Sequence, residues 1–252
     1  MPRQARKHAE SGIYHVILRG INQQQIFEEE EDDQKFLQIL KDCKEISGYK
    51  LLAYCLMGNH IHLLIKEGTE PLEQVFKRIG GRFVYWYNVK YQRVGHLFQD
   101  RFKSEPVDND AYLLTVLRYI HQNPVKAGVC DKPEDYAYSS WREYLTKPWL
   151  ADVDFTDTLV PRDELIDFHR LLGQEQCLDV SEKSTVRLTD EQAKSVLLSS
   201  VGCESAAEFQ KLPPAARDKA IQTLREKGLS LRQISRFTGV SIMVVRRITR
   251  ED

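Results

Sequence analysis

Four apolar stretches in the first half of the chain predict β-strands. They are short, rich in β-branched and aromatic residues, and separated by turn-forming or helical sequence. The pair Gly58-Asn59 is a turn signal between the second and third stretches, so these two strands should form a hairpin. The predicted strands are YHVILRG at residues 14–20, KLLAYCLM at 50–57, HIHLLIKE at 60–67 and RFKSEPV at 101–107.

Helical spacing of apolar residues predicts one helix between the first two strands and another after the hairpin. The first has an acidic start at residues 28–33, and its apolar positions continue to Cys43. The second should run from Pro71 to about Tyr91, with a bend at residues 80–81, where two glycines are adjacent.

A third helix should follow the last predicted strand. Asp108 or Asn109 can cap it, and its apolar stripe reaches Asn123-Pro124. The order strand, helix, strand, strand, helix, strand is the split β-α-β arrangement of the ferredoxin-like fold, here with one helix added at its C-terminal end. We therefore expect an α+β domain, in which helices cover a single antiparallel sheet.

The end of the chain has the marks of an all-α helix-turn-helix tail. Ser230 can cap a helix over LRQISRF, and residues 238–240 can form the tight turn. Ser241 can cap a final helix that contains Arg246 and Arg247. This pattern favours DNA binding, and a plain helical packing module is the alternative. Its expected small core is Leu231, Ile234, Val240, Val244, Val245 and Ile248.

Charge is segregated along the chain, although the formal net charge is only −1. Residues 74–103 contain seven basic side chains and one acidic side chain, and residues 225–250 have the same balance. Residues 142–187 contain six basic and ten acidic side chains. Two basic zones that flank an acidic segment indicate contact with a phosphate backbone.

These patterns predict a first domain at residues 1–145, an acidic connector at 146–187 and a helix-turn-helix domain at 188–252. No apolar run approaches the roughly 20 residues that span a bilayer, and residues 1–12 lack the apolar core of a signal peptide. We expect a cytoplasmic, nucleoid-associated protein of bacteria with no membrane partner. The five cysteines are scattered and form no C-x-x-C pair, which argues against a disulfide framework or a cysteine zinc site.

Two histidines stand two residues apart in the third predicted strand. His60 and His62 should point the same way, and Ile61 should face the opposite side. A solvated strand face would explain them equally simply, because short motifs often match by accident. In the third predicted helix, Tyr119 and Asn123 are four residues apart, so they share a face and could approach the histidines together.

The chemistry open to these side chains is narrow. Two neutral imidazoles and an amide oxygen can hold a divalent cation, with positions left for phosphate oxygens and water. A tyrosine hydroxyl beside such a metal could attack phosphorus and form a covalent phosphotyrosine. Tyr119 also lies on the apolar stripe with Val116 and Ile120, so a core aromatic with a hydrogen-bonded hydroxyl is the alternative.

Four segments, in this order, resemble the single-tyrosine HUH transposases, and most of all the REP-associated tyrosine transposases of bacteria. They are YHVILRG, GNHIHLLI, GHLFQDRFKS and YLLTVLRYIHQNPVKAG, within residues 10–145. The resemblance implies that His60, His62 and Asn123 bind Mg²⁺ or Mn²⁺. It also implies that Tyr119 attacks single-stranded DNA and leaves a 5′-phosphotyrosine. Asn123 departs from the family pattern, because many insertion-sequence relatives have a glutamine there.

Basic residues interleaved with aromatic residues predict where DNA binds. Cations follow the backbone while aromatic rings stack on unpaired bases, so residues 77–103 should grip a single strand. The N-terminal arm is either a further DNA contact or a solvated tail. The predicted DNA-binding residues are Arg3, Arg6, Lys7, Arg82, Arg93, Arg101, Lys103, Arg246 and Arg247.

The sequence therefore predicts a metal-dependent single-stranded DNA endonuclease and strand transferase, a transposase acting on hairpin or REP-like DNA. Its expected partners are single-stranded and hairpin DNA, with duplex DNA bound by the helix-turn-helix. The alternative is a domesticated, non-catalytic regulator that binds DNA sequence-specifically through its C-terminal domain.

Overall fold

The chain divides at residue 184 into two units, each with a core of its own. The structure is a computed structural model, and it describes residues 7–171, 177–179, 188, 190–203 and 205–249. No helix among these residues is long and apolar enough to cross a bilayer. The five cysteines, all of them among the described residues, form no disulfide.

A four-stranded antiparallel sheet lies at the centre of the first unit. Its strands are β1 (Ile13–Arg19), β2 (Lys50–Leu56), β3 (His60–Lys66) and β4 (Lys103–Pro106). Their order across the sheet is β2-β3-β1-β4. The register places Ile17 of β1 opposite both His62 of β3 and Lys103 of β4. Each predicted strand is present, with ends that differ by one or two residues.

Two long helices, α1 (Glu30–Ser47) and α2 (Leu72–Lys90), cover one face of this sheet. Buried Asp32 accepts hydrogen bonds from the backbone N–H groups of Glu28 and Glu29, which satisfies donors at the start of α1. Helix α2 continues unbroken through the adjacent glycines at residues 80–81, where a bend was predicted. The core on this face includes Val16, Leu18, Phe36, Leu40, Ile61, Leu63, Ile79 and Phe83.

The opposite face is covered by α3 (Asp110–Lys126), together with short helices α4 (Trp141–Leu145), α5 (Val153–Asp157) and α6 (Arg162–Arg170). The side chain of Asn109 caps α3 by accepting from the N–H of Tyr112 at 2.8 Å. Pro124 does not end α3, because a single missing N–H removes only one donor and Ala127 still bonds to the Asn123 carbonyl.

Part of the predicted acidic connector is folded onto the first unit. Helices α5 and α6 lie within residues 146–187, and Leu150, Val153 and Leu165 are buried. Acidic side chains between these apolar residues stay at the surface, so the net charge of a segment does not report whether its backbone is packed.

The second unit contains the helices α7 (Asp190–Val201), α8 (Ala206–Gln210), α9 (Pro214–Glu226), α10 (Leu231–Thr238) and α11 (Ile242–Ile248). Ser230 and Gln233 form a capping box at the start of α10. Gly239 ends α10 with φ of +69°, a conformation that glycine adopts without strain. Ser241 precedes α11, but its side chain makes no capping hydrogen bond, unlike the prediction.

The predicted core of the last two helices is only partly buried. Ile234 and Val245 are fully buried, whereas Leu231, Val240 and Ile248 pack at its edge. Val244 is half-exposed. The other buried side chains come from α7, α8 and α9, and include Leu197, Phe209, Ile221 and Leu224.

Candidate active site

The β3 strand presents two histidines on the face of the sheet that α3 covers. Ile61 and Leu63 alternate with them and pack into the core beneath α1 and α2. His60 and His62 therefore point the same way, as predicted, and both are buried rather than solvated. Their ring centroids lie 4.9 Å apart.

Helix α3 brings an amide and a phenol to these rings. Asn123 Nδ2 lies 3.2 Å from Nε2 of His62, and the ring centroids of Tyr119 and His62 are 5.6 Å apart. One helical turn separates Asn123 from Tyr119, so both side chains face the sheet. His121 and Gln122 instead hydrogen-bond to α6. The structure therefore brings all four predicted active-site residues together.

Both histidines of β3 are neutral imidazoles near neutral pH. Burial, and then the charge of Arg19, lowers the pKa of His60 to about 4. Burial also lowers the pKa of His62 well below its ordinary value, and His60 and His15 add to this effect. Neutral imidazole is the form that binds metal ions. Asn59 Oδ1 lies 2.7 Å from Nδ1 of His60, so Nδ1 donates and Nε2 holds the lone pair.

Two polar residues beside His62 were not predicted. His15 Nε2 lies 3.1 Å from Nδ1 of His62, and His15 Nδ1 lies 3.0 Å from Oε1 of Glu105. The same oxygen accepts hydrogen bonds from the Tyr112 hydroxyl and the Leu178 N–H, each at 2.9 Å. Burial opposes ionisation of Glu105, but the hydrogen bonds from these three residues outweigh it, and the pKa of Glu105 is lowered. Alternation along β1 was the available signal, since residues 15, 17 and 19 share one face.

Tyr119 is the buried phenol of the site, with 7% of its surface exposed. Burial, and then the charge of Asp179, raises the pKa of its hydroxyl. Tyr119 is therefore protonated in the metal-free protein. Lys126, the last residue of α3, has an exposed side chain whose Nζ lies 4.9 Å from the centre of the Tyr119 ring.

The predicted DNA-binding residues are dispersed. Lys103 lies on the face of the sheet that carries the histidines, because it stands opposite Ile17, which stands opposite His62. Arg82 lies on α2, which covers the other face. Lys7, Arg82, Arg101, Lys103 and Arg247 are exposed, and Arg93 and Arg246 are half-buried. Arg3 and Arg6 lie outside the described residues.

Much of the basic, aromatic-rich zone at residues 77–103 has a structural role. Arg78 forms a bidentate ion pair with Glu70, and Lys90 pairs with buried Asp32 at 2.6 Å. Tyr85 is 74% exposed and could stack on a base. Other aromatic residues of the zone are buried or half-buried in the core, namely Phe83, Trp86, Tyr87, Tyr91, Phe98 and Phe102.

The side chains that could hold a metal ion are His60, His62 and Asn123. Within the described residues, no three His, Cys, Asp or Glu side chains converge in a manner that would hold one. An amide oxygen would have to be the third ligand. A half-turn of the Asn123 amide would exchange its Oδ1 and Nδ2, so that an oxygen instead of an N–H group would lie beside Nε2 of His62. Two neutral imidazoles and one carbonyl oxygen fit a divalent cation with open coordination positions.

Comparisons with known proteins cover the part of the chain that contains these residues. The sequence model of the IS200-like transposases matches residues 8–123, which include all four candidate residues. A Haemophilus influenzae protein, provisionally named a REP-associated tyrosine transposase, is 29% identical over 119 residues, covering 42% of this chain and 67% of its own. The solved structure of a REP-associated tyrosine transposase bound to a REP hairpin matches with TM-score 0.52 and 18% identity, over 61% of this chain and 93% of that one.

The chain is therefore a mixed α+β protein with a four-stranded antiparallel sheet, similar in sequence and in fold to transposases. The last of these matches bears on the fold alone, because its sequence identity is low. The resemblance predicted from the sequence is confirmed: the chain is similar to the IS200-like transposases and, among them, to REP-associated tyrosine transposases.

Proposed function

We propose that this protein is a metal-dependent single-stranded DNA endonuclease and strand transferase with Tyr119 as its nucleophile. The observation that carries the proposal is the contact of Asn123 with Nε2 of His62 at 3.2 Å, with the Tyr119 ring against the same imidazole. A core tyrosine would not require two buried, neutral histidines and an amide beside it. Buried polar groups cost stability unless they are partnered, so a functional role explains why this cluster is kept.

His60, His62 and Asn123 would hold Mg²⁺ or Mn²⁺. Such an ion would polarise the scissile phosphate and stabilise the charge that develops on its oxygens. The Tyr119 oxygen would bond to phosphorus as the bond between phosphorus and the 3′ oxygen breaks. The products are a 5′-phosphotyrosine and a DNA 3′-hydroxyl, so the proton lost from the phenol is balanced by the proton gained by the 3′ oxygen. Reversal with a different 3′-hydroxyl would rejoin the strand.

The surroundings of Tyr119 fit these steps. Burial and then the charge of Asp179 raise the pKa of the phenol, so the bound metal and substrate would have to assist loss of its proton. Exposed Lys126 stands over the ring and could contact the phosphate. Lys103, on the same face of the sheet, could contact the neighbouring backbone.

We also propose a division of labour along the chain. The first unit would be a ferredoxin-like catalytic domain for single-stranded and hairpin DNA, in accord with its strand order and with the hairpin bound by the similar solved structure. Helices α10 and α11 would form a helix-turn-helix for duplex DNA, because exposed Arg247 and partly buried Arg246 lie on the second helix. The predicted borders at residues 145 and 188 would move, since α5 and α6 belong to the first unit.

The test is capture of the covalent intermediate. The full chain, with Mn²⁺, would be incubated with labelled hairpin oligonucleotides that have randomised single-stranded flanks, and denaturing electrophoresis would detect the adduct. We expect an adduct with wild type and none with Tyr119→Phe.

Tyr112→Phe is the matched control. Tyr112 lies seven residues earlier on α3, about 10 Å along the helix axis, and its hydroxyl bonds to Glu105. Its loss should leave the adduct in place. An adduct that survives Tyr119→Phe would refute the assignment. Tight hairpin binding by wild type without any adduct would favour the non-catalytic regulator.

A further inference from the structure

A chain of hydrogen bonds links Glu105 of β4 to the candidate metal ligand His62 of β3 through His15 of β1. Glu105 Oε1 is 3.0 Å from His15 Nδ1, and His15 Nε2 is 3.1 Å from His62 Nδ1. Both imidazoles are fully buried, and their rings stack at 5.3 Å. His15 contacts His62 at Nδ1, and Glu105 contacts His15. Any effect of these two residues on a metal ion at Nε2 of His62 must therefore act through the His62 ring.

The direction of each hydrogen bond follows from the groups at the two ends of this chain. An ionised carboxylate can only accept, so the proton in the first bond lies on Nδ1 of His15. At the other end of the chain, the Asn123 amide donates from Nδ2 to Nε2 of His62, so the proton of neutral His62 lies on Nδ1 and is donated to Nε2 of His15. This leaves the lone pair of His62 on Nε2, the nitrogen that faces Asn123.

The opposite arrangement would block a metal ion. If Glu105 were absent, His15 could donate from Nε2 to Nδ1 of His62, and the proton of His62 would then lie on Nε2. Glu105 Oε1 also accepts from the Tyr112 hydroxyl and the Leu178 N–H, but only its hydrogen bond with His15 sets the direction of the chain. Asn59 makes the corresponding hydrogen bond at His60: its Oδ1 accepts from Nδ1 of His60 at 2.7 Å.

We propose that Glu105 and His15 are positioning residues that hold His62 in the Nδ1–H tautomer, with Nε2 free to bind the catalytic metal. Outer partners of metal-binding histidines commonly fix the tautomer and ring orientation in this way. The inference rests on the proposed function for the identity of the metal site. The tautomer itself is a property of the metal-free protein and can be measured separately.

The first measurement is nitrogen NMR of the full chain with ¹⁵N-labelled histidine and no metal. Long-range ¹⁵N–¹H correlations distinguish the two tautomers of each ring. We expect the proton of His62 on Nδ1 in wild type, and a shift toward Nε2 in His15→Phe, which keeps an aromatic ring at that position, and in Glu105→Leu. Glu105→Gln retains an accepting oxygen and should restore most of the wild-type signal. His121 of α3 and His169 of α6 report folding. Their hydrogen bond to each other is separate from the chain at His62, so their ¹⁵N signals should not change.

The second measurement is Mn²⁺ affinity by electron paramagnetic resonance. Loss of an outer partner of a ligand typically costs about 10- to 100-fold in affinity, and we expect this loss in His15→Phe and Glu105→Leu. Tyr112→Phe is the matched control, because it removes a different hydrogen bond to Glu105 and keeps the one to His15. It should bind Mn²⁺ within a few-fold of wild type.

A wild-type His62 with its proton on Nε2 would overturn the proposal, as would an unchanged His62 tautomer in folded His15→Phe. Equal Mn²⁺ affinity of wild type and both variants would do the same. Absence of Mn²⁺ binding in wild type would instead contradict the proposed function, and the NMR result would still decide whether Glu105 and His15 set the tautomer.

Discussion

Acidification should weaken the attachment of α6 to α3, the helix that carries Tyr119 and Asn123. His169 of α6 is buried, stacks on Trp141 at 4.1 Å and lies 3.0 Å from His121 through its Nε2. Its Nδ1 donates to the Leu165 carbonyl at 2.8 Å, so Nε2 accepts from His121 and has no place for a second proton.

The size of this effect follows from the pKa of His169. Burial lowers it from the ordinary 6.5 to about 4, the charge of Arg118 also lowers it, and the hydrogen bond to Leu165 opposes the shift. As pH falls, the unfolded chain therefore binds the proton first. The stabilisation that neutral His169 gives to the folded state is complete above pH 6.5, and it is lost as pH falls toward 4. Linkage gives a loss of about 2 kcal/mol from this one residue between pH 7 and pH 5.

Urea unfolding followed by tryptophan fluorescence measures the effect. All three tryptophans, Trp86, Trp141 and Trp149, lie in the first unit, so the signal reports that unit. His169→Gln should be less stable than wild type at pH 7, because buried hydrogen bonds are lost. At pH 5, the difference in unfolding free energy between wild type and His169→Gln should be about 2 kcal/mol smaller than at pH 7. His96→Gln, at an exposed histidine, is the control. A gap of equal size at both pH values would refute the reasoning.

Three further predictions concern the site and the second unit. His60→Ala or His62→Ala should abolish cleavage but keep most DNA affinity in gel-shift assays, with a smaller loss for Asn123→Ala; undiminished cleavage in EDTA would reject the metal. Deleting residues 188–252 should weaken duplex binding and flatten its salt dependence while a short single strand is still cleaved; a folded truncation unable to cleave would contradict this. Ser230→Ala should destabilise the second unit by about 1 kcal/mol in hydrogen exchange, whereas Ser241→Ala, which loses no capping bond, should be neutral.

Local sequence patterns predicted the parts of the site that depend on one element at a time. Strand alternation places His60 and His62 on the same face of β3, and helical spacing places Tyr119 and Asn123 on the same face of α3. The outer residues depend on strand order instead. His15 reaches Glu105 only because β1 lies between β3 and β4, and several orders of four strands are compatible with the same sequence.

Charge counting overstates the unpaired positive charge of residues 74–103 for a related reason. Lys90 and Arg78 count as basic in any window of sequence, but Asp32 and Glu70 neutralise them in the folded chain. Asp32 is 58 residues from Lys90 in sequence, so no local window contains both. The surface charge that DNA would meet is therefore smaller than the composition of residues 74–103 implies.

The register of β1 ties the fold to the chemistry. Val16 and Leu18 face the core beneath α1 and α2, whereas His15 faces His62 and Ile17 stands between His62 and Lys103. Because side chains alternate, a shift of β1 by one residue would put His15 into the apolar core and Val16 into the site. The energy of burying one side of β1 therefore also fixes the hydrogen bonds on the other side. Core substitutions in β1 should lower stability without altering the His62 tautomer, as long as this register persists.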